Sequence, residues 1–459
     1  MSDARTFHLE SALLPDGWRH SVRVEVAPSG DIESVTPDAV ADADGAEVVG
    51  GPAVPGMPNV HSHAFQRAMA GLAEAGAAGA DFWSWREVMY RFANRMGPEA
   101  LEAVAGQLFV EMLKAGYTAV GEFHYLHHQP DGSPHDEAAR LSLSVLATAS
   151  RVGIGLTHLP VLYARAGFGQ TNARTEQRRF VNSVESWRAI ITACGLASRE
   201  MPNARVGAAL HSLRAVPPDM LHQALEGLDE SMPRHLHAAE QVAEVEECLA
   251  ATGARPVAWL LDEVGVDPRW CLVHATHIDE AEVVALARSG AVVGLCPTTE
   301  ANLGDGVFPL DAFVAAGGRF GVGSDSNVTV TPSAELCCLE YGQRLTTRRR
   351  VRAGGGEAGT RHAGAELWKA GLAGGAQALG RPIGAIAPGC RADLIVLDAA
   401  HPSLTGRVGD ELIDSWLFAS HESPVRHVMV GGEWVVRDGH HRLEAEILES
   451  YRETLAGWR

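Results

Sequence analysis

Residues 270–300 read WCLVHATHIDEAEVVALARSGAVVGLCPTTE and contain one complete strand–helix–strand unit. The apolar runs at its two ends predict buried strands. Between them, Asp279 is a predicted helix N-cap with Glu282 three residues further on, and Gly290 is a predicted stop after the last turn. Strands that alternate with helices in this way are typical of a parallel sheet.

The same alternation runs through the middle of the chain, where we predict eight strands that each begin with apolar residues and end with polar ones. Eight such units predict an α/β fold, the (β/α)8 TIM-like barrel, which carries its active site at the C-terminal ends of the strands. Polar loops alone would explain polar strand ends, but His, Asp, Glu and Arg recur there where Ser, Asn and Gly would suffice. The predicted strands are 53–63, 118–125, 153–163, 205–215, 233–240, 270–277, 291–300 and 319–327.

The two ends of the chain differ from this middle part. Residues 1–55 and 383–440 contain short β-like runs, and we predict that they form one small β-sandwich built from both termini. The catalytic barrel then spans 56–382, and 441–459 is predicted to be a C-terminal helix. The basic and glycine-rich stretch at 348–359 predicts a surface loop.

Composition indicates an ordinary globular protein and argues against some partners. The 459 residues are 46% apolar and 21% charged, with a net charge of −19. This balance disfavours nucleic acid and anionic membrane surfaces, because both require basic patches. No apolar run approaches the ~18 residues of a membrane span, and the N-terminus has no apolar signal-peptide core. Seven scattered cysteines without a CxxC motif favour the reducing cytoplasm over a disulfide framework.

Three histidines and one aspartate at predicted strand ends are candidate metal ligands. His61 and His63 end the first strand, and side chains at i and i+2 of a strand share a face, so both imidazoles can reach one ion. An HxH pattern alone is weak evidence, because a chain with 21 histidines contains about one by chance. In the second pair, on the fifth strand, we predict His237 as the ligand and His235 as its neighbour, and Asp325 ends the eighth strand.

This ligand set suits one divalent ion, Zn²⁺ first and Fe²⁺ second, since both accept imidazole and carboxylate ligands. A position would stay open for water, whose pKa a bound ion lowers to about 7. Glu240 lies three residues beyond His237, within reach of that water, and His274 ends the sixth strand. We predict Glu240, His274 and Asp325 as catalytic residues, although a lone histidine such as His274 is as often a structural hydrogen-bonding group.

The motifs PGMPNVHSH, HLHAAE, LVHATH and GSDS, in this order, resemble the amidohydrolase superfamily. The resemblance covers nearly the whole chain, including the tail PIGAIAPGCRADLIVLD. The HxxE spacing after the third ligand resembles the deaminase branch with a single metal. The predicted strand ends carry no lysine that would suggest a carbamylated bridge between two metals.

A closer resemblance is carried by HSHAFQRAMAGLAE, FWSWREVMYR, EFHYLHH, LPVLYARAGFG and HSLRAV, which are similar to the formimidoylglutamate deiminases. That family converts N-formimino-L-glutamate to N-formyl-L-glutamate and ammonia in histidine degradation. The resemblance implies substrate contacts from Gln66, Arg86, Tyr125, His211 and Arg214. Asn327 departs from the family's SDSH motif, and we interpret it as a change near the ligand that tunes the metal or the pH profile without abolishing activity.

The residues themselves also fit a small dicarboxylate substrate. A glutamate derivative carries two carboxylates, and the planar guanidinium of arginine pairs with such groups bidentately. Arg86 lies in the aromatic run FWSWRE, where a stacked structural cation is the alternative, and Arg214 ends the fourth strand, where a surface salt bridge is the alternative. We expect Glu240 to move a proton to the departing nitrogen, and His274 to stabilise the tetrahedral intermediate or help deprotonate water.

Two other functions remain open. A related amidohydrolase acting on a purine, pterin or guanidino compound would have a base-stacking aromatic pocket without paired arginines. A noncatalytic barrel that serves as a binding or scaffold protein would have lost metal ligands, and all four are present here. We expect the chain to form a homodimer.

Overall fold

A computed structural model describes residues 5–40, 45–75, 82–169, 172–351 and 362–458. The strands are β1 (Arg5–Leu14), β2 (Gly17–Val26), β3 (Ile32–Thr36), β4 (Glu47–Pro55), β5 (Met57–Ser62), β6 (Tyr117–His124), β7 (Gly155–Leu162), β8 (Ala204–Val206), β9 (Ala208–Ser212), β10 (Arg234–Ala238), β11 (Trp270–His274), β12 (Val292–Leu295), β13 (Arg319–Val322), β14 (Leu394–Leu397), β15 (Val425–Val430), β16 (Glu433–Arg437) and β17 (His440–His441).

The α-helices are α1 (Phe82–Ala93), α2 (Pro98–Ala115), α3 (Arg140–Val152), α4 (Val184–Ser198), α5 (Pro218–Leu225), α6 (Val242–Thr252), α7 (Pro256–Trp259), α8 (Glu280–Ser289), α9 (Pro297–Leu303), α10 (Leu310–Ala315), α11 (Pro332–Thr347), α12 (Ala363–Leu379), α13 (Asp410–Ala419) and α14 (Glu444–Ala456). Short 3₁₀ helices span Ala64–Met69 and Thr175–Gln177, and a π turn spans Leu260–Val264. Among the described helices, none combines the length and the apolar character needed to cross a membrane.

The eight predicted barrel strands are present and close into a parallel barrel, which confirms the predicted fold class. Their order is β5, β6, β7, β9, β10, β11, β12 and β13, and β13 pairs with β5 through Val322 and Asn59. Strands β6 and β7 are buried along their whole length. Such complete burial is expected for parallel strands with one face toward the barrel interior and the other toward helices.

The fourth barrel strand is divided into β8 and β9 at Gly207, which the sequence did not predict. A Cβ at this position would lie 2.6 Å from Leu159 Cδ2 and 2.9 Å from the carbonyl oxygen of Pro233. The neighbouring chains therefore approach too closely for any residue but glycine.

Several predicted strands extend too far at their C-terminal ends. The strand predicted at 291–300 ends at Leu295, because Pro297 begins helix α9. The strand predicted at 270–277 ends at His274, where φ is 69°, and such left-handed backbone cannot continue a strand. The chemically important residues therefore lie among the last residues of the barrel strands or in the turns that follow them.

Strands from both ends of the chain form the second, separate sheet, in the order β17, β16, β15, β14, β4, β1, β2, β3. In its centre, β14 pairs antiparallel with β4. Only Gly56 separates β4 from the barrel strand β5, and its N–H donates to the carbonyl oxygen of Asp393 at 3.1 Å. The predicted domain boundaries after residues 55, 382 and 440 stay a prediction, and the loop predicted at 348–359 lies mostly outside the described residues.

Helix α8 begins at the predicted cap. The side chain of Asp279 accepts hydrogen bonds from the N–H groups of Ala281 and Glu282 at 3.0 and 2.9 Å, and the Glu282 carboxylate accepts one from Asp279 N at 3.0 Å. We expect Asp279→Ala to lower the free energy of unfolding by about 1 kcal/mol, because it removes the cap. Urea denaturation would measure this, with Glu280→Gln as the matched control on the same turn. An equal loss in both variants would contradict the capping role.

Candidate active site

Three histidine rings and one carboxylate converge at the C-terminal ends of the barrel strands. His61 and His63 lie at the end of β5, His237 lies on β10, and Asp325 follows β13. The Nε2 atom of His61 is 3.1 Å from that of His63 and 3.0 Å from that of His237. Asp325 Oδ1 lies 3.2 Å from His63 Nε2 and 3.4 Å from His61 Nε2. We call these four side chains the ligand group, since together they could hold a metal ion.

Hydrogen bonds at the Nδ1 atoms of His63 and His237 fix the orientation of both rings, so that their Nε2 atoms face the centre of the ligand group. His63 Nδ1 is 2.9 Å from the carbonyl oxygen of Phe123, and His237 Nδ1 is 2.8 Å from that of His211. A carbonyl oxygen only accepts, so each Nδ1 carries the proton, and a neutral ring then turns an Nε2 lone pair inward. Inward-facing lone pairs and a carboxylate repel one another unless a cation lies between them, so this donor set fits a divalent ion.

Burial and neighbouring groups place His61, His237 and Asp325 in metal-binding protonation states. Burial lowers the pKa of His61 to about 3 and lowers the pKa of His237 well below its ordinary value, so both rings are neutral near pH 7. Burial acts to raise the pKa of Asp325, but the rings of His61 and His63 beside its carboxylate outweigh burial and hold this pKa well below its ordinary range. Neutral imidazole and ionised carboxylate are the forms that bind metals.

Pairing between the last and first barrel strands brings Asp325 to the two histidines. His63 N donates to the carbonyl oxygen of Asp325 at 3.0 Å, and Asp325 N donates to that of His61 at 2.9 Å. Asn327 Nδ2 donates to the carbonyl oxygens of both His63 and Asp325 at 3.0 Å, and Asn327 has a φ of 58°, which asparagine adopts more readily than most residues. Asn327 thus ties the two ligand-bearing segments together, and its effect on the metal or the pH profile stays a prediction.

Every site residue predicted from the sequence, except the fully buried His61, lines one cavity at this end of the barrel. The structure thus brings together residues that are far apart in sequence, while their individual roles stay predictions. His235 lies outside the ligand group, since its Nε2 is 2.8 Å from the carbonyl oxygen of Ala378. The predicted residues that line the cavity are His63, Gln66, Arg86, Tyr125, His211, Arg214, His237, Glu240, His274 and Asp325.

Glu240 and His274 approach each other in the cavity wall. His274 Nε2 lies 3.8 Å from Glu240 Oε1 and 3.8 Å from Asp325 Oδ2, and its Nδ1 lies 3.2 Å from Glu300 Oε1. Burial acts to lower the pKa of His274, but the charge of Glu240 and the hydrogen bond to Glu300 outweigh it and raise this pKa to about 10. A protonated His274 can donate a hydrogen bond to a developing oxyanion.

Arg86 enters the cavity from helix α1 inside a set of aromatic rings. Its Nε donates to the hydroxyl of Tyr90 at 2.9 Å, and its guanidinium lies 5.1 Å from the centre of the Trp83 ring. Within the part of the chain that the structure describes, no carboxylate forms an ion pair with Arg86. The stacked cation considered from the sequence is therefore present, and the same guanidinium also faces the cavity with N–H groups to offer.

Arg214 differs from Arg86 because two carboxylates lie near it. Its Nη2 is 3.5 Å from Glu240 Oε2, and its Nε is 4.0 Å from Glu244 Oε2. Burial acts to lower the pKa of Arg214, but Glu244 and Glu240 outweigh it and raise this pKa above its ordinary value. The surface salt bridge considered for Arg214 is wrong, because the side chain is only 6% exposed.

The remaining predicted residues form a polar wall. Gln66 Nε2 donates to the hydroxyl of Tyr125 at 2.8 Å, and the Tyr125 ring packs edge-on against His63 with 4.9 Å between ring centres. Burial, and then the nearby charge of Arg214, lowers the pKa of His211 well below its ordinary value. His211 is therefore neutral near pH 7, and it can accept or donate one hydrogen bond through each ring nitrogen.

Three buried glutamates beside the site were not predicted. Glu122 accepts a hydrogen bond from Ala64 N at 2.6 Å, directly after the ligand His63, and burial raises the pKa of Glu122 to about 7. Its signal in the sequence is a charge within the apolar strand TAVGEFHY, since a buried charge must be paired or hydrogen-bonded. Glu244 and Glu300 lie on helices α6 and α9, where no pattern separates them from solvated acids.

A (β/α)8 barrel with a histidine–aspartate ligand group at its strand ends is the arrangement of a class of metal-dependent hydrolases. The sequence model of the amidohydrolase family matches residues 53–435, and that of the N-terminal domain of formimidoylglutamate deiminase HutF matches residues 4–47. The chain belongs to the amidohydrolase family.

Individual relatives agree with this assignment. The chain is 53% identical over 447 residues to the formimidoylglutamate deiminase of Pseudomonas aeruginosa, which covers 97% of this chain and 98% of that protein. It is 29% identical to the 5-methylthioadenosine/S-adenosylhomocysteine deaminase of Natronomonas pharaonis, over 90% of this chain and 86% of the relative. Among solved structures, an amidohydrolase from Brucella melitensis superposes with a TM-score of 0.93 at 45% identity over 99% of both chains. The predicted resemblance is confirmed.

Proposed function

We propose that this protein hydrolyses N-formimino-L-glutamate to N-formyl-L-glutamate and ammonia, a step of histidine degradation. The observation that carries the proposal is one cavity in which the ligand group faces two buried arginines. The chain that builds this cavity is 53% identical to the Pseudomonas aeruginosa deiminase. Within this proposal, His61, His63, His237 and Asp325 hold one divalent ion, Zn²⁺ first and Fe²⁺ second.

Charge explains how the cavity selects such a substrate. A chain of net charge −19 repels a dicarboxylate unless the site supplies local cations, and Arg86 and Arg214 are both buried at the cavity. The formimino group is cationic near neutral pH, so it pairs with the carboxylate of Glu240. Two positive groups of the protein, Arg86 and Arg214, then pair with the two carboxylates of the substrate, and one negative group, Glu240, pairs with its formimino cation.

The reaction adds water to the formimino carbon and breaks the bond to the terminal nitrogen, which leaves as ammonia. A bound divalent ion supplies Lewis acidity, which makes water a competent nucleophile near pH 7. Glu240 receives a proton as the carbon–oxygen bond forms and passes it to the departing nitrogen. His274, 3.8 Å from both Glu240 and Asp325, donates a hydrogen bond to the oxygen of the tetrahedral intermediate.

Ammonia release tests the proposal directly. Protein loaded with Zn²⁺ should release ammonia from N-formimino-L-glutamate faster than from guanine, cytosine or N-formimino-glycine. Deamination of a purine, the alternative chemistry, calls for a stacking pocket without paired arginines, whereas two arginines line this cavity. A preference for guanine would overturn the substrate and leave the fold unaffected.

Arg86→Met is expected to lower kcat/KM for N-formimino-L-glutamate by roughly 30- to several-thousand-fold. Loss of the guanidinium leaves one substrate carboxylate unpaired in a partly desolvated cavity, which costs about 2–5 kcal/mol. Steady-state kinetics would measure this, with Arg91→Met, an exposed position on the same helix, as the matched control. N-formimino-glycine lacks one carboxylate. If Arg86 faces the position of that missing group, Arg86→Met should lower kcat/KM for N-formimino-glycine much less than for N-formimino-L-glutamate. Equal losses for both substrates, in this variant and in the corresponding Arg214→Met, would indicate a general structural role.

We also propose that the enzyme acts in the cytoplasm as a homodimer. All seven cysteines are free, which supports a reducing compartment. The homodimer stays a prediction, and analytical ultracentrifugation at several protein concentrations would test it.

A further inference from the structure

Glu244 contacts Glu240, the proposed proton-transfer residue, and Arg214, which is proposed to bind a substrate carboxylate. It lies in the first turn of helix α6, only 2% exposed, and its Oε2 accepts a hydrogen bond from Glu240 N at 3.0 Å. The same oxygen lies 4.0 Å from Arg214 Nε. One carboxylate oxygen therefore faces the backbone that carries the proposed proton-transfer residue and the guanidinium that faces the substrate.

The spacing around Arg214 shows a guanidinium shared between two acids and bound tightly by neither. A strong arginine–carboxylate hydrogen bond is about 2.7–2.9 Å long. Arg214 instead lies 3.5 Å from Glu240 and 4.0 Å from Glu244, and among the described residues its buried Nε has no hydrogen-bond partner. N–H groups of this guanidinium thus remain available within the cavity.

A tight pair between Arg214 and Glu240 would remove both groups from the reaction. The arginine could not offer its N–H groups to a substrate carboxylate, and the Glu240 oxygens could not receive a proton. Glu240 alone beside a buried guanidinium would be drawn into such a pair, because opposite charges attract strongly where water is excluded. A second carboxylate, that of Glu244 near the Nε atom of the same guanidinium, competes for it and opposes that movement.

We propose that Glu244 is a positioning residue that keeps Arg214 and Glu240 apart, by sharing the guanidinium and by anchoring the backbone of Glu240. This inference rests on the proposed function, since it concerns the roles of Arg214 and Glu240 in deimination. Among the described residues, Glu244 forms no hydrogen bond or ion pair with the ligand group, so it acts through its two neighbours.

A double-mutant cycle tests the proposal. In otherwise wild-type, Zn²⁺-loaded protein, Glu244→Gln should lower kcat for N-formimino-L-glutamate by about tenfold or more, because Glu240 loses part of its contribution. In a chain that already carries Glu240→Gln, the same substitution should change kcat by less than about threefold, because residues that act through each other are not additive. Glu246→Gln, at an exposed position on the same helix, is the matched control.

A second variant separates the effect of the negative charge of Glu244 from the effect of its side-chain shape. Glu244→Asp keeps the negative charge and should retain kcat within about threefold of the wild type, as expected if charge sharing dominates. Equal losses in Glu244→Asp and Glu244→Gln, additive losses in the cycle, or a Glu244→Gln variant indistinguishable from Glu246→Gln would each overturn the proposal. A failure of the proposed function would appear in the wild-type chain as absent ammonia release, whereas a failure of the Glu244 role appears only among the variants.

Discussion

His237→Ala is expected to bind less than about half an equivalent of metal per chain and to lose at least about 10³-fold in kcat, since the ion supplies several kcal/mol of catalysis. His237 carries one of the inward-facing ring nitrogens, 3.0 Å from His61 Nε2, so its removal opens one side of the ligand group. Elemental analysis of dialysed protein and ammonia release measure the two effects on the same sample.

The exposed His222 on helix α5 provides the control for the loss of a histidine. His222→Ala should keep both metal and activity. A His237→Ala protein with full activity, or active wild-type protein that contains almost no metal, would contradict the assignment of the ligand group.

Glu240→Gln should keep the metal and lose about 10²- to 10⁴-fold in kcat, the scale of a positioned general acid–base. The amide preserves the size of the side chain, but it cannot take up the proton that the departing nitrogen needs. Glu240 lies outside the ligand group, so metal content is expected to stay at the wild-type level.

Glu246→Gln again serves as the control, since it removes the same carboxylate from an exposed position. Parallel loss of metal and activity in Glu240→Gln would make Glu240 a ligand or a structural residue. Unchanged kcat would require another proton carrier, and His274 would be the first to substitute.

The barrel, and the fact that the site residues meet at one end of it, could be predicted because both follow from the alternation of strands and helices along the sequence. Parallel strands end at one edge, so His61, His237 and Asp325 on strands one, five and eight had to lie near one another. Fine positions within the turns could not be predicted in the same way. Asp325 and His274 have φ values of 44° and 69°, and no hydrophobic pattern encodes a local reversal of that kind.

Buried acids on helices were missed for a different physical reason. The sequence EVEE places Glu244, Glu246 and Glu247 within four positions, and each is compatible with a solvated helix face. Only Glu244 is buried, because tertiary packing turns that position toward Arg214. Helical periodicity shows which residues share a face, and the partner across the interface is specified by the fold alone.

The pairing of the last barrel strand with the first has a consequence for the order of events during synthesis. His63 and Asn327, which hydrogen-bond in the finished protein, are separated by 264 residues. At 5–20 residues per second, a ribosome needs roughly 10–50 s to make that length of chain. During this interval His61 and His63, at the end of β5, have neither Asp325 nor the Asn327 hydrogen bond to hold them in place. The strand β14, which pairs with β4 just before them, emerges later still. The complete ligand group can therefore assemble only after Asp325 has been synthesised, late in the production of the chain.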